Sequence, residues 1–271
     1  MKVNQQKYSL EQVKQWADYL TNHTLTEVSE HFNVPYKSAV NLLNRYGYRK
    51  PSRVQTKIRR LNNATIDYFQ TIDSAEKAYF LGYLFSDGYI CSGNYNCSKQ
   101  MGLAVQLQDR YIIDRLHANM QLNIKINVYK NSAKLVVTNL QLYNDLVALG
   151  MKEDKSHQDY TLPLIPDEFM NSFILGYFDG DGCITIKASH AIVVSICCNS
   201  YVFLESMQKY LESVGIFTRL NTEKRHNGSD FYVLYLKGRT NQLAFKEFVY
   251  KDSPIYLTRK YDKFTKIPCK S

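Results

Sequence analysis

The sequence contains no apolar run long enough to cross a membrane, so a membrane-embedded protein is not expected. Its first residues, Met1-Lys-Val-Asn-Gln-Gln6, lack the apolar core of a secretory signal. Six cysteines are present (Cys91, Cys97, Cys183, Cys197, Cys198 and Cys269), with no C-x-x-C pair and no histidine at zinc-site spacing. That pattern argues against a structural zinc site or a disulfide framework and predicts free thiols in a reducing, cytoplasmic setting. Acidic charge is also short. Asp and Glu total 25 against 34 Lys and Arg, a formal net charge of +9, which points to a polyanionic partner, most often nucleic acid. Tyrosine, in contrast, is abundant at 22 residues. It suits surfaces that are apolar at the base and wet at the tip, and it also fills sheet cores.

What stands out in this background is a near-duplication. Phe80-Leu-Gly-Tyr-Leu-Phe-Ser-Asp-Gly88 and Ile174-Leu-Gly-Tyr-Phe-Asp-Gly-Asp-Gly182 each run from an apolar, helix-like segment into an aspartate followed by glycine. The spacing between them is too long for a solenoid repeat and indicates one supersecondary unit duplicated. After the first stretch come strand signals at Tyr89–Cys91 and Gly102–Gln108, where Leu103, Val105 and Leu107 alternate with Ala104, Gln106 and Gln108. An amphipathic helix (Asp109–Met120), two further strands (Ile124–Lys130 and Lys134–Thr138) and a short helix (Leu140–Leu149) complete the unit. The second half repeats that order: a helix over Asp167–Asp179, strands at Cys183–Lys187 and Ala191–Cys197, and a helix over Tyr201–Val214. Strands Phe217–Arg225 and Phe231–Lys237 follow, then helices Thr240–Val249 and Ile255–Phe264. The predicted fold is α+β: a pseudo-twofold pair of αββαββα units with two antiparallel sheets.

Ahead of the repeats, residues 1–50 read as a small all-α module. Ser9-Leu-Glu-Gln12 and Thr24-Leu-Thr-Glu27 are capping-box starts, and Asn33-Val-Pro35 turns the chain into a third helix. The outer face of that helix offers Tyr36, Lys37, Ser38, Asn41 and Arg45. This stretch resembles the helix-turn-helix of small DNA-binding domains, which implies a recognition helix in the major groove; a structural cap that touches no DNA is the plainer alternative. Residues 51–72 read as a basic linker. Arg49 and Arg53, with Lys50, Lys57, Arg59 and Arg60 around them, are placed to lie along a phosphate backbone.

The chemistry follows from the motifs taken as helices. Gly82 and Ser86 lie four residues apart, as do Gly176 and Gly180, so each helix carries a stripe of small residues on one face. Two such stripes allow close backbone approach. Packing them together brings Asp87 and Asp181 side by side at equivalent helix ends. Paired carboxylates in a low-dielectric setting share a proton or a divalent cation. Beneath a basic surface, that arrangement suits Mg²⁺-dependent phosphodiester hydrolysis.

These segments resemble the two motifs of single-chain LAGLIDADG homing endonucleases, and the αββαββα order over residues 73–156 and 157–271 matches that family's fold. The resemblance implies a monomeric, Mg²⁺- or Mn²⁺-dependent enzyme that cuts both strands of a long asymmetric DNA site without a protein partner. It implies metal binding by Asp87 and Asp181, with Gly88 and Gly182 beside them, and a basic residue from each half near the metal, here Lys155 and Lys260, with Arg259 competing for the second place. Base readout is implied on the helix-free strand faces. The candidates are Gln106, Gln108, Lys125, Asn127, Tyr129, Ser195, Asn199, Arg219, Asn221 and Arg225. The sixth motif position is Asp in the family and caps a helix end; the second copy has it as Asp179, and the first departs with Phe85. A bacterial, phage or organellar origin fits such an enzyme. The rival reading is a non-cleaving DNA-binding regulator, or an RNA-binding intron maturase, on the same fold. An intein-embedded nuclease is not expected, since splice-junction residues are missing at the ends.

Overall fold

The computed structural model describes residues 8–20, 23–48, 64–92, 99–188 and 192–267. They divide into two compact units, 1–64 and 65–271. In the first unit, α1 (Leu10–Leu20), α2 (Leu25–His31) and α3 (Tyr36–Arg45) enclose a core of Val13, Trp16, Leu20, Val28, Val34, Ala39 and Leu43. Both capping boxes form. The Thr24 hydroxyl takes the Glu27 N–H at 3.2 Å while the Glu27 carboxylate takes the Thr24 N–H, and Ser9 and Gln12 do the same. Asn33, at φ 48°, makes the turn. Tyr36, Lys37, Asn41 and Arg45 are exposed along α3 and Ser38 is half-buried. Arg49 and Arg53, and with them most of the basic stretch, lie outside the described residues.

The second unit starts earlier than the linker reading of 51–72 expects. Phe69 and Ile72 are buried, and Thr65 N–H donates to the Met120 carbonyl at 2.9 Å. Residues 65–72 therefore pack onto this unit and are not a solvated tether. The reason is visible in the sequence: Tyr68, Phe69 and Ile72 are apolar residues in a stretch that carries no basic side chain.

Two αββαββα repeats follow. The first comprises α4 (Ala75–Ser86), β1 (Gly88–Ser92), β2 (Lys99–Gln106), α5 (Arg110–Asn119), β3 (Asn127–Val128), β4 (Ser132–Thr138) and α6 (Leu140–Ala148). In the second are α7 (Met170–Asp181), β5 (Gly182–Ile186), β6 (Ile192–Cys198), α8 (Tyr201–Ser213), β7 (Thr218–Lys224), β8 (Asp230–Leu236) and α9 (Arg239–Tyr250), with α10 (Thr258–Phe264) added. The sheets have equivalent antiparallel orders, β1-β2-β4-β3 and β5-β6-β8-β7. In each, alternate residues bury against helices: Met101, Leu103, Leu135 and Val137 in the first, Ile184, Val194, Ile196 and Leu234 in the second. The intervening residues form a helix-free face, and that face carries the candidate nucleic-acid interface.

The joint between the repeats is α4 against α7, and glycine makes it possible. A Cβ at Gly82 would overlap the Phe173 carbonyl oxygen and stand 2.9 Å from Tyr177 N. One at Gly176 would overlap the Tyr79 carbonyl oxygen and stand 2.9 Å from Tyr83 N. Gly180 admits the Ser86 side chain in the same way. Both stripes predicted from spacing meet, backbone on backbone.

Candidate metal centre and nucleic-acid interface

Asp87 caps the C-terminus of α4, and Asp181 is the last residue of α7. The Asp87 Oδ2 atom would lie 3.3 Å from a Cβ placed on Gly180, so the first acid reaches the helix that carries the second. Burial, then the Asp87 charge, raises the Asp181 pKa to about 6, against the pull of Lys155. Burial also raises Asp87, opposed by Lys155, Lys260 and Arg259.

Each predicted lysine reaches this place and binds the end of its own repeat's motif helix. Lys155 Nζ donates to the carbonyls of Leu84 (3.1 Å), Phe85 (2.6 Å) and Ser86. Lys260 Nζ donates to those of Phe178 (2.6 Å), Gly180 (3.3 Å) and Gly182 (2.6 Å). An ammonium on the carbonyls of a helix's last turn is favourable twice over, by hydrogen bonding and by the helix dipole, and the Phe178 carbonyl takes the Gly182 N–H as well. Burial lowers both lysines to about 8, while Asp181 and Asp87 oppose the shift at Lys155, and Asp179, Asp87 and Asp181 oppose it at Lys260. Arg259 does not compete, because its Nε is committed to Asp109 at 2.9 and 3.2 Å.

The sixth motif position differs as the sequence implies, and the structure shows what fills it. Asp179 is fully buried; its Oδ2 accepts from Tyr79 Oη at 2.8 Å and from Leu257 N–H at 2.7 Å. Its Oδ1 is buried with no hydrogen-bond partner among the described residues, and burial raises its pKa to about 6. Phe85 instead joins an aromatic cluster, with ring centroids 5.3 Å from Phe173, 6.0 Å from Tyr160 and 6.3 Å from Phe203.

Two carboxylates at one place, each raised by burial, fit a divalent ion that takes one or two protein carboxylates and completes its shell with water and phosphate oxygens. No group of three or more His, Cys, Asp or Glu with ligand geometry occurs among the described residues. The Gly182 carbonyl holds Lys260, and Gly88 is buried in the β1–β2 pairing opposite Leu103. Beside Asp181 lies a recess of about 200 Å³, which Lys155, Tyr177, Asn199 and Arg225 also line.

The readout candidates divide. Gln106, Asn127, Arg219 and Asn221 lie on the helix-free faces of their strands. Gln108 does not, because pairing ends at Gln106 and residues 107–109 turn as a 3-10 helix into α5, leaving Leu107 exposed. Lys125 and Tyr129 fall outside β3, which pairs only at Asn127 and Val128; Tyr129 N–H is used in the turn to Ser132. Ser195 has the right parity but is only 7 % exposed, flanked in register by Cys183 and Tyr235. Asn199 and Arg225 sit just beyond strand ends and bind each other at 2.7 Å. The sequence reading missed Lys134, whose Nζ lies 4.9 Å from the Tyr89 ring centre on the first sheet's free face, and Glu223, bonded to Tyr235 Oη at 2.5 Å on the second. Strand register, once known, picks out both.

A pair of αββαββα units joined through glycine-lined helices, each ending in an aspartate, is the duplicated LAGLIDADG fold. Residues 168–250, in the second repeat, match the family model described as a LAGLIDADG-like domain. Among solved structures, the homing endonuclease I-WcaI bound to its DNA recognition sequence is 11 % identical with a TM-score of 0.53, covering 79 % of this chain and 93 % of that one. I-DmoI in complex with DNA and Ca is 17 % identical with a TM-score of 0.47, covering 68 % and 90 %. Two curated relatives come from Methanocaldococcus jannaschii: a reverse gyrase, 28 % identical over 123 residues, and a probable translation initiation factor IF-2, 25 % identical over 175. The matches cover 44 % and 62 % of this chain but only 7 % and 14 % of those proteins.

Proposed function

We propose that the protein is a site-specific, divalent-metal-dependent DNA endonuclease that cuts both strands as a monomer. One observation carries the reading: two aspartates from the two repeats meet at one helix joint, each with a lysine held at the end of its own motif helix. A basic chain and two polar, helix-free sheet faces supply the DNA-binding surface that this chemistry needs. The likeness in fold to I-WcaI, whose structure is bound to its DNA recognition sequence, agrees with it. Asp87 and Asp181 would hold Mg²⁺ or Mn²⁺, which when bound activates water and neutralises the leaving oxygen. Lys155 and Lys260, whose N–H groups are held by the helix-end carbonyls, would stabilise the phosphate through their charge as its negative charge grows. Both acids come from one chain, so a single copy completes the site. The α3 face of the N-terminal unit (Tyr36, Lys37, Asn41, Arg45) extends the footprint.

Cleavage of a plasmid library carrying randomised inserts, with Mg²⁺ or Mn²⁺, tests this. The expected result is a discrete double-strand cut at one sequence, reduced at least about 10²-fold by Asp87→Asn and by Asp181→Asn. Undiminished cutting by both variants, or binding without cutting across the library, overturns it.

A further inference from the structure

The backbone that carries Lys260 is held from across the joint. Leu257 N–H, three residues before the lysine, donates to Asp179 Oδ2, and the same oxygen takes the hydroxyl of Tyr79 from the first repeat's motif helix. Two further contacts cross in the same direction. Arg259 pairs with Asp109, which is only 4 % exposed, and Tyr111 Oη donates to the Tyr256 carbonyl while accepting from Thr258 N–H at 3.1 Å. Residues 256–259 of the second repeat are thus bolted to Tyr79, Asp109 and Tyr111 of the first. The Lys155 segment has a weaker counterpart: Asn199 donates to the Ser156 carbonyl at 3.3 Å, and Asp154 and His157 beside it are exposed.

We infer that Tyr79 is a positioning residue for the second repeat's half of the site, fixing Lys260 through Asp179 and Leu257. The inference rests on the nuclease reading above. A hydroxyl buried in the joint costs free energy unless it is bonded, and this one is bonded to an acid whose other bond fixes the lysine-bearing turn. A small displacement of a catalytic ammonium lowers rate steeply, because preorganisation is what makes such groups effective. Phe85 cannot serve the first repeat in this way, since it offers no acceptor. The two halves therefore draw on different supports, and only one of them runs through Tyr79.

Tyr79→Phe keeps the buried ring and removes only the hydroxyl. Single-turnover nicking of each DNA strand, measured separately, should fall about tenfold on one strand and less than twofold on the other. Amide hydrogen exchange, read without DNA or metal, should speed up at least tenfold across Leu257–Lys260 and stay unchanged across Gly150–Ser156. Asp179→Asn, which keeps an acceptor for Leu257 N–H, should recover most of both effects relative to Asp179→Leu. Equal slowing of both strands, or unchanged exchange at Leu257–Lys260, overturns the inference. Absence of cleavage by the unaltered protein on every target overturns the nuclease reading instead, and exchange still decides whether Tyr79 holds the turn.

Discussion

The two lysine-bearing segments make the same contact by different means. In the second repeat Lys260 sits on a helix, 5 % exposed, behind an N-cap residue whose N–H is held by a buried carboxylate. In the first repeat Lys155 opens a single 3-10 turn after Asp154, which is strained at φ 49°, and is half-buried. Both ammoniums end on the last carbonyls of their motif helices. What the duplication preserves is the electrostatics at the joint; what it varies is the support behind it. A pseudo-twofold site built this way holds one side more stiffly than the other.

The largest effects test whether the halves are equivalent at the joint itself. Gly82→Val and Gly176→Val each drive a side chain into the other helix's carbonyl oxygen, where no flexible atom can yield. Each should cost more than about 4 kcal/mol, beyond ordinary overpacking because backbone must move. Urea unfolding of the two variants should give matching losses. A tolerated substitution on one side would show that the helices are not locked symmetrically. Next comes exchange at the sixth position. Phe85→Asp buries a carboxylate among the rings of Phe173, Tyr160 and Phe203, and Phe173 stands at the motif position equivalent to Tyr79, which donates to Asp179. About 3 kcal/mol of stability should be lost, visible as a lower denaturation midpoint. Little or no loss would mean that the first repeat holds a latent carboxylate site and that the two halves are alike at this position.

Much of this was legible beforehand. The duplicated motifs carried the fold because small residues four apart on a helix, followed by Asp-Gly, have few other structural uses when they occur twice. Lys155 and Lys260 were legible only through family resemblance; nothing in their local sequence marks a lysine that will cap a helix far away in the chain. Tyr79 was hidden for the same reason. It reads as one more apolar-face aromatic, and its hydroxyl gains a role only when α7 brings Asp179 to it. The strand faces were half legible. Alternation found Gln106 and Arg219, but the end of β2 and the shortness of β3 depend on which residues pair with β4, which spacing within one strand does not reveal.

Activity against pH offers a smaller effect, read on both halves at once. Lysines with pKa near 8 lose charge above that pH, and Asp181, near 6, gains a proton below its own. The kcat/KM profile should therefore be a bell with limbs near 6 and 8, since kcat/KM reports the free enzyme. Raising Mg²⁺ should move the acid limb downward, because metal and proton compete for the carboxylates. Lys155→Met and Lys260→Met should each lower the plateau by about 10–10²-fold, the second more than the first if the stiffer support matters. A flat profile from pH 5 to 9 would remove these groups from the chemistry.

The smallest expected effect separates the two aspartates. A carboxyl whose folded pKa is raised binds its proton more readily in the folded state. Its contribution to stability is therefore favourable at low pH and falls as pH rises from about 4, the unfolded value, through about 6 for Asp181. Above pH 6 the charged form is carried at a cost, discounted for partial exposure to on the order of 1 kcal/mol. Asp181→Asn removes that cost, so without metal the variant should melt higher than the parent at pH 7.5 and no higher at pH 4. Asp87 is raised by burial as well, but it is the more open of the two and Arg259 joins the two lysines in opposing its shift, so Asp87→Asn should gain less. Saturating Mg²⁺ should reverse the order, stabilising the parent and neither variant, because ligand binding to the folded state adds stability only where the site is intact. Equal gains from the two variants would mean that the acids share one environment, and the asymmetry would then be confined to the lysine segments.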